Sequence, residues 1–149
     1  MSEMVDRIRA ATGWPDVREE RRTVRWLGQR YNDRVIELMP AHPLSPEIYF
    51  VFSDDYEALV QFGMGEWHGH PEIDRALELA ADLVAGRKCL LELRSHRGKY
   101  LGSGLVGTTD VRPTLARSNP NDVLRRVFFN RAAEEVKLES VGNRESENA

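Results

Sequence analysis

Hydrophobic and polar positions follow two different periods along this chain, and each period predicts an element. Apolar residues spaced three or four positions apart predict a helix, whereas alternation, or a short run of β-branched and aromatic residues, predicts a strand. Helical spacing extends over residues 2–12, before Gly13, and over residues 71–86, which begin with Pro71 and end with Gly86. Since Pro favours a first turn and Gly ends many helices, we predict a helix in each segment.

Two further segments show the same helical spacing. In residues 15–31, Val17 and Val24 fall within one arc at about 100° per residue. The Asn-Asp pair at 32–33 follows and predicts a turn. Residues 119–129 begin with Asn-Pro, a frequent helix start, and continue with apolar residues at helical spacing. We therefore predict helices at 15–31 and 119–129.

Five shorter segments carry the strand pattern. They are residues 34–38, 48–53, 56–62, 88–94 and 100–106. An Asp-Asp pair separates the second from the third, and a polar Ser-His-Arg-Gly turn separates the last two. This arrangement predicts two antiparallel hairpins.

The order of these elements predicts an α+β fold with a mainly antiparallel sheet and helices packed on one of its faces. We expect one domain over residues 1–138. Residues 139–149 are rich in Ser, Asn and Glu, cannot bury enough apolar surface to offset ordering entropy, and are predicted to be a disordered tail. Between two predicted strands, residues 39–47 contain three prolines and are predicted to be a constrained surface loop.

Composition restricts the class of protein. The chain has 149 residues, 41% of them hydrophobic, which is enough for one core. A net charge of -3 argues against a nucleic-acid partner, because such binding needs a basic surface. No apolar run is long enough to span a membrane, and Cys89 is the single cysteine, so we expect a soluble protein of the reducing cytoplasm.

The stretch before the 71–86 helix contains a candidate metal site. Glu66, His68 and His70 occupy every second position, and side chains at such positions share one face of a strand. Two imidazoles and a carboxylate can hold a divalent cation such as zinc. Glu66 would then be a ligand or the general base that activates a metal-bound water. This pattern predicts a metal-dependent hydrolase as an alternative function.

The same stretch has a simpler interpretation. Gly63, Gly65 and Gly69 are compatible with a glycine-rich turn in which the histidines bind nothing. Trp67 would lie on the opposite strand face from the histidines, either in the core or as an amphipathic contact with a partner. No cofactor is needed in this interpretation.

Four arginines form the second candidate site. Arg18, Arg21, Arg22 and Arg25 would share one face if residues 15–31 form a helix, and would attract an acidic protein surface. Glu19 and Glu20 interrupt the run, which also fits a solvated face of ion pairs.

No nucleophile elbow or phosphate-binding loop is present in the sequence. Our leading hypothesis is therefore a small non-catalytic protein-binding domain, possible examples being inhibitors and immunity proteins. Trp67, the four arginines and the loops at 40–47 and 63–72 would contact another protein of unknown identity. A homo-oligomer formed through an open strand edge is also compatible with the pattern. Whether the chain is an enzyme stays open at this point.

Overall fold

The computed structural model describes residues 3–26, 29–53, 56–63, 67–70, 72–109 and 119–136. Within these, the description is confined to the backbone at residues 22–26, 29–33, 53, 56–58 and 67–70. The predicted Asp-Asp turn at 54–55 and the predicted tail at 139–149 lie outside the described residues.

Two helices and nine strands make up the described part of the chain. The helices are α1 (Glu3–Thr12) and α2 (Ile73–Ala85). The strands are β1 (Val17–Trp26), β2 (Gln29–Leu38), β3 (Ile48–Ser53), β4 (Tyr56–Phe62), β5 (Trp67–His70), β6 (Lys88–Arg94), β7 (Tyr100–Gly107), β8 (Val123–Val127) and β9 (Glu134–Glu135). None of the described helices is both long and apolar enough to cross a membrane.

The strands form two antiparallel sheets. The first sheet has the order β1-β2-β3-β4-β5, in which each strand pairs with the next along the chain. The second sheet has the order β7-β6-β8-β9. The α+β class with antiparallel pairing is confirmed, although the strands divide into two sheets where the sequence predicted one.

The main core lies between the helices and one face of the first sheet. On this face, Ile36, Phe50 and Val60 lie side by side on β2, β3 and β4 and are almost fully buried. Burying a side chain of this size contributes about 1.5–3 kcal/mol. The helices supply Val5, Ile8, Ala76, Ala80 and Leu83, and the second sheet with its β8–β9 connection supplies Leu90, Val127 and Phe129.

The two sheets approach each other closely at Gly63. Its φ is 70°, a backbone conformation that favours glycine. A Cβ at this position would lie 2.5 Å from Leu90 Cδ2, on the central strand of the second sheet. Glycine therefore lets the end of β4 pack directly against β6.

The predicted helix at 15–31 is wrong, because this segment forms β1 and the start of β2. The pairing runs without interruption from Val17 opposite Leu38 to Trp26 opposite Gln29. The predicted turn at 32–33 is also wrong, since both residues lie inside β2. Eight of the seventeen residues in this segment are charged, and its few apolar positions fit either period. Pairing with β2 stabilises the strand, and this long-range contact cannot be inferred from the local spacing of apolar residues.

The predicted helix at 119–129 is wrong for a different reason. Its apolar residues form β8, which pairs with β6 at the centre of the second sheet. Leu124 packs in a separate cluster with Leu91 and Leu93, whereas Val127 packs in the main core. Leu124 and Val127 face opposite sides of the sheet and are three positions apart, a spacing that also fits one face of a helix.

The remaining predicted elements are confirmed. The first helix ends at Thr12 and is followed by Gly13 at φ 68°. Gly86 ends α2 in the left-handed conformation, with φ 77°. Both predicted hairpins form, as β3–β4 and β6–β7. The proline-rich residues 39–47 contain neither helix nor strand, as predicted.

Candidate functional site

Residues 39–47 connect β2 to β3, and one side of this loop is fixed by the segment between α1 and β1. The Trp14 indole Nε1–H donates to the Met39 carbonyl at 2.7 Å, and the Met39 N–H donates to the Asp16 carbonyl at 2.9 Å. The Trp14 ring also packs edge-on against Phe129, with 5.0 Å between the ring centroids. The start of the loop is therefore bound to well-packed residues.

The other side of the loop contacts residues 128–133, which follow β8. The Ala41 N–H donates to Asn130 Oδ1 at 3.1 Å. The Ser45 hydroxyl donates to the Arg131 carbonyl at 3.1 Å. These bonds link two segments that are 86 to 89 residues apart in sequence. We call the surface formed by residues 39–47 and 128–133 the Leu44 surface.

His42 organises the tip of the loop. Its Nδ1 accepts a hydrogen bond from the Leu44 N–H at 3.3 Å. The Ser45 hydroxyl donates its proton to the Arg131 carbonyl, so the donor to His42 Nδ1 is the Leu44 N–H. In this bond Nδ1 acts as an acceptor, so the compatible tautomer carries its proton on Nε2.

Leu44 is the most prominent side chain on this surface. It is 87% exposed, and the other large hydrophobic residue exposed in the described part of the chain, Leu101, is 44% exposed. A single exposed leucine needs no explanation in general. Here, however, the leucine projects from a loop whose backbone is held on both sides, so its position is fixed before any partner arrives.

A cavity of about 220 Å³ lies beside Leu44. It is lined by His42, Leu44, Ser45, Arg125, Val127, Phe128, Arg131, Ala132 and Ala133. Five of these residues are apolar, and the other four carry hydrogen-bonding groups. None of the lining residues is acidic, so the polar groups of the wall favour an electron-rich ligand.

Arg131 forms the exposed rim of this cavity. Its guanidinium lies over the Phe128 ring at 3.6 Å from the centroid, and the side chain is 57% exposed. The Glu134 carboxylate is 3.9 Å away, a separation that gives a weak exposed pair. The stacking on Phe128 fixes the plane of the guanidinium while its edge faces solvent.

Arg125 connects the cavity to a buried acidic group. Its Nη2 donates to Glu92 Oε1 at 2.7 Å, and Arg94 Nε donates to the same oxygen at 2.6 Å. Burial alone would raise the pKa of the Glu92 carboxyl, but the hydrogen bonds and charges of Arg94 and Arg125 outweigh it and lower this pKa. Arg125 Nε is buried and has no hydrogen-bond partner in the part of the chain that the structure describes.

The four arginines of the predicted binding face do not share a face. On strand β1, Arg18 pairs with Glu37 and Arg21 with Arg34, positions that belong to opposite faces of the sheet. Arg18 also contacts the Asp16 carboxylate at 3.1 Å. Arg22 and Arg25 are three positions apart on the same strand, so these positions also belong to opposite faces of the sheet. The prediction that the four arginines concentrate positive charge on one face required a helix. That prediction is wrong, because the strand divides them between two faces.

The predicted metal ligands lie at the edge of what the structure describes. Glu66 is outside the described residues, and His68 and His70 are described only by their backbone in β5. That backbone is extended, with His68 opposite Val60 and His70 opposite Ala58. Positions 68 and 70 therefore share a face of the sheet, as the sequence predicted. The metal site itself stays a prediction.

The register also places Trp67. It pairs with Gln61, so its position is on the face opposite to that of buried Val60. This is the face of the sheet that lies away from the main core. Elsewhere among the residues whose side chains the structure describes, no three His, Cys, Asp or Glu residues converge as metal ligands.

The sequence contained one signal for the Leu44 surface. Leu44 is the only large aliphatic residue within 40–47, and an apolar residue among prolines marks a loop that presents it to solvent. Arg125 gave no such signal, because residues 119–129 had a helical pattern and their true pairing is long-range. Arg131 lies beyond that segment, and no pattern in the sequence singled it out.

Comparisons with models of protein families, with curated proteins and with solved structures found no match to this chain. We therefore infer function from the geometry of the described residues.

Proposed function

We propose that this protein is a non-catalytic binding protein that recognises another protein through the Leu44 surface. The observation that carries the proposal is the 87% exposure of Leu44 on a loop held by hydrogen bonds on both sides. Burying this side chain in a complex would contribute about 1.5–3 kcal/mol.

The restraints on the loop support a binding role. Ordering a flexible segment on association costs free energy, and a segment that is already ordered avoids that cost. Three prolines in residues 39–47 limit the backbone, while Trp14, Asn130 and Arg131 fix both sides of the loop. Leu44 can therefore act as an anchor at little entropic cost.

The surroundings of Leu44 also have the character of an interface. An apolar anchor at the centre and a polar rim are typical of protein interfaces, and arginine is enriched among residues that contribute most to binding. The stacked Arg131 guanidinium, together with His42 and Ser45, supplies such a rim.

A photo-crosslinking experiment tests this proposal. A benzophenone amino acid replaces Leu44 in one sample and Leu101 in a control, and both proteins are irradiated in lysate of the source cells. We expect one protein to be crosslinked saturably from position 44 and not from position 101. Its yield should fall when unlabelled wild-type protein is added as a competitor.

Matched variants used as competitors complete the test. Leu44→Asp should compete at least about tenfold less well than wild type, because it places a charge where an apolar side chain is buried. Leu101→Asp should compete like wild type. Equal competition by the two variants, or no saturable crosslink at position 44, would overturn the proposal.

A further inference from the structure

We propose that the cavity beside Leu44 binds the C-terminal residue of the partner protein, a residue with an apolar side chain and a free carboxylate. This inference rests on the proposed function and names the chemistry of the group that is bound. It comes from the size of the cavity, its apolar wall and the donors opposite that wall.

The size of the cavity limits the ligand. A volume of about 220 Å³ is below the range of about 300–1,000 Å³ that is usual for sites that hold drug-sized molecules. It suits a group of the size of one amino-acid residue. A ligand that uses both walls must therefore carry apolar and anionic parts within a single residue.

The apolar wall consists of Val127, Phe128, Ala132, Ala133 and Leu44. Val127 and Phe128 are buried against the protein interior and are fixed in place, so they form a rigid floor. An aliphatic side chain placed on this floor would be removed from water without a rearrangement of the protein.

The donors come from Arg125 and Arg131. The planar guanidinium of Arg131 is held by the Phe128 ring, and such a fork matches the two oxygens of a carboxylate. A buried donor without an acceptor costs free energy, and Arg125 Nε is such a donor among the described residues. An oxygen that reaches this atom would satisfy it.

The charged side chains that line the cavity are also positive. Arg125 and Arg131 line the cavity, whereas the acidic residues Glu134 and Glu135 follow its last lining residue, Ala133, and do not line it. Glu92 takes up the Nη2 group of Arg125, which leaves Arg125 Nε and the exposed Arg131 guanidinium as donors for a further carboxylate.

A chain terminus fits this combination better than an acidic side chain. In a C-terminal residue the carboxylate and the side chain leave the same Cα, so one residue reaches both walls. Asp or Glu within a chain would bring the carboxylate but leave the apolar floor unfilled. Recognition of a C-terminal carboxylate by fixed donors is a known mode of peptide binding.

Three small probes test the inference directly. N-acetyl-L-leucine carries the apolar group and the carboxylate, N-acetyl-L-leucinamide lacks the charge, and acetate lacks the side chain. Each is titrated into the full-length protein while backbone amide shifts are followed by NMR. We expect saturable shifts in residues 41–45 and 127–133 with N-acetyl-L-leucine. Both other probes should bind at least about tenfold more weakly, because each loses one of the two contacts.

Variants at Arg131 provide a second measurement. Arg131→Gln should weaken N-acetyl-L-leucine at least about tenfold and reduce the preference for the acid over the amide. Arg131→Lys should retain part of the preference, since it keeps the charge and loses the fork. The control is Arg97→Gln, in the exposed turn between β6 and β7, which should bind like wild type.

The outcomes separate this inference from the proposed function. Equal binding of the acid and the amide, equal binding of acetate, or no shifts in the two segments would each overturn the inference. A crosslinked partner whose yield depends on Leu44 but not on Arg131 would also overturn it and leave the proposed function standing. N-acetyl-L-leucine binding without any crosslinked partner would overturn the proposed function and leave the cavity as a site for an apolar carboxylate.

Discussion

Glu92 shows how a single residue can combine burial with charge. The residue is 5% exposed, yet its carboxylate stays ionised because Arg94 and Arg125 both donate to it. Burying a charge is costly unless it is paired in this way. The carboxylate also fixes Arg125 at the wall of the cavity, so it positions a residue of the candidate site without lining that site itself.

We predict that Glu92→Gln lowers the free energy of unfolding by about 1–3 kcal/mol at neutral pH. The variant keeps the shape of the side chain but loses the charge-assisted hydrogen bonds, and the 40% exposure of the Arg125 side chain moderates the loss through solvent screening. Urea unfolding measures the difference. Glu72→Gln is the matched control, because the Glu72–Arg75 pair is exposed and 3.8 Å apart, and it should change stability by less than about 0.5 kcal/mol.

The stability difference between wild type and Glu92→Gln should depend on pH with a known sign. The pKa of Glu92 is lower in the folded protein than its usual value of about 4.3. Its contribution is therefore complete above about pH 4.3 and is lost as the pH falls through the folded-state pKa. The difference between wild type and Glu92→Gln should shrink between about pH 5 and pH 3. A difference that stays constant over this range would contradict the assigned ionisation.

At the scale of elements, the loop at 39–47 depends on residues far from it in sequence. The prolines predicted a constrained loop, but the restraint also comes from Trp14, before β1, and from Asn130, after β8. The two strand segments that were predicted as helices illustrate the same point. Spacing within β1 or β8 does not reveal the partner strand, and the partner supplies the hydrogen bonds and the packing.

Trp14→Phe tests whether the loop is ordered by these contacts. The variant keeps an aromatic ring against Phe129 but loses the bond to the Met39 carbonyl, which should cost about 1 kcal/mol. We expect the Ala41 amide, which donates to Asn130, to exchange its hydrogen faster than in wild type. The Ser95 amide, which donates to the Lys99 carbonyl in the turn between β6 and β7, should be unaffected. Unchanged exchange at Ala41 would show that the indole does not restrain the loop.

At the scale of the whole molecule, the two sheets and two helices enclose a single main core. Leu90 and Val127 of the second sheet pack in the same cluster as Phe50 and Val60 of the first sheet. The Leu44 surface lies where the β2–β3 connection of the first sheet meets the β8–β9 connection of the second sheet. Its geometry therefore depends on both sheets.

The alternative metal site is a prediction for the whole protein, because β5 must place the histidines beside further ligands. Tag-free wild-type protein and the His68→Ala/His70→Ala double variant are purified identically, and their metal content is measured by elemental analysis. The hydrolase hypothesis predicts a stoichiometric divalent metal in wild type that is lost in the double variant. A metal-free wild-type protein, or equal metal in both, would contradict it.

The sequence by itself determined the elements whose signals are local. A glycine after a helix, an apolar stripe at helical spacing and two aromatic strands around a short turn each act within a few residues, so α1, α2 and both predicted hairpins followed from the pattern. The constrained loop at 39–47 followed from its prolines.

Only the tertiary structure decided the division into two sheets, the strand state of β1 and β8, and the position of Arg125 and Arg131 beside Leu44. These features depend on contacts between residues that are distant in the chain. Ser45 and Arg131, for example, are 86 residues apart and meet through one hydrogen bond. Hydrophobic spacing measures which residues within a segment share a face, but carries no information about which other segment covers that face.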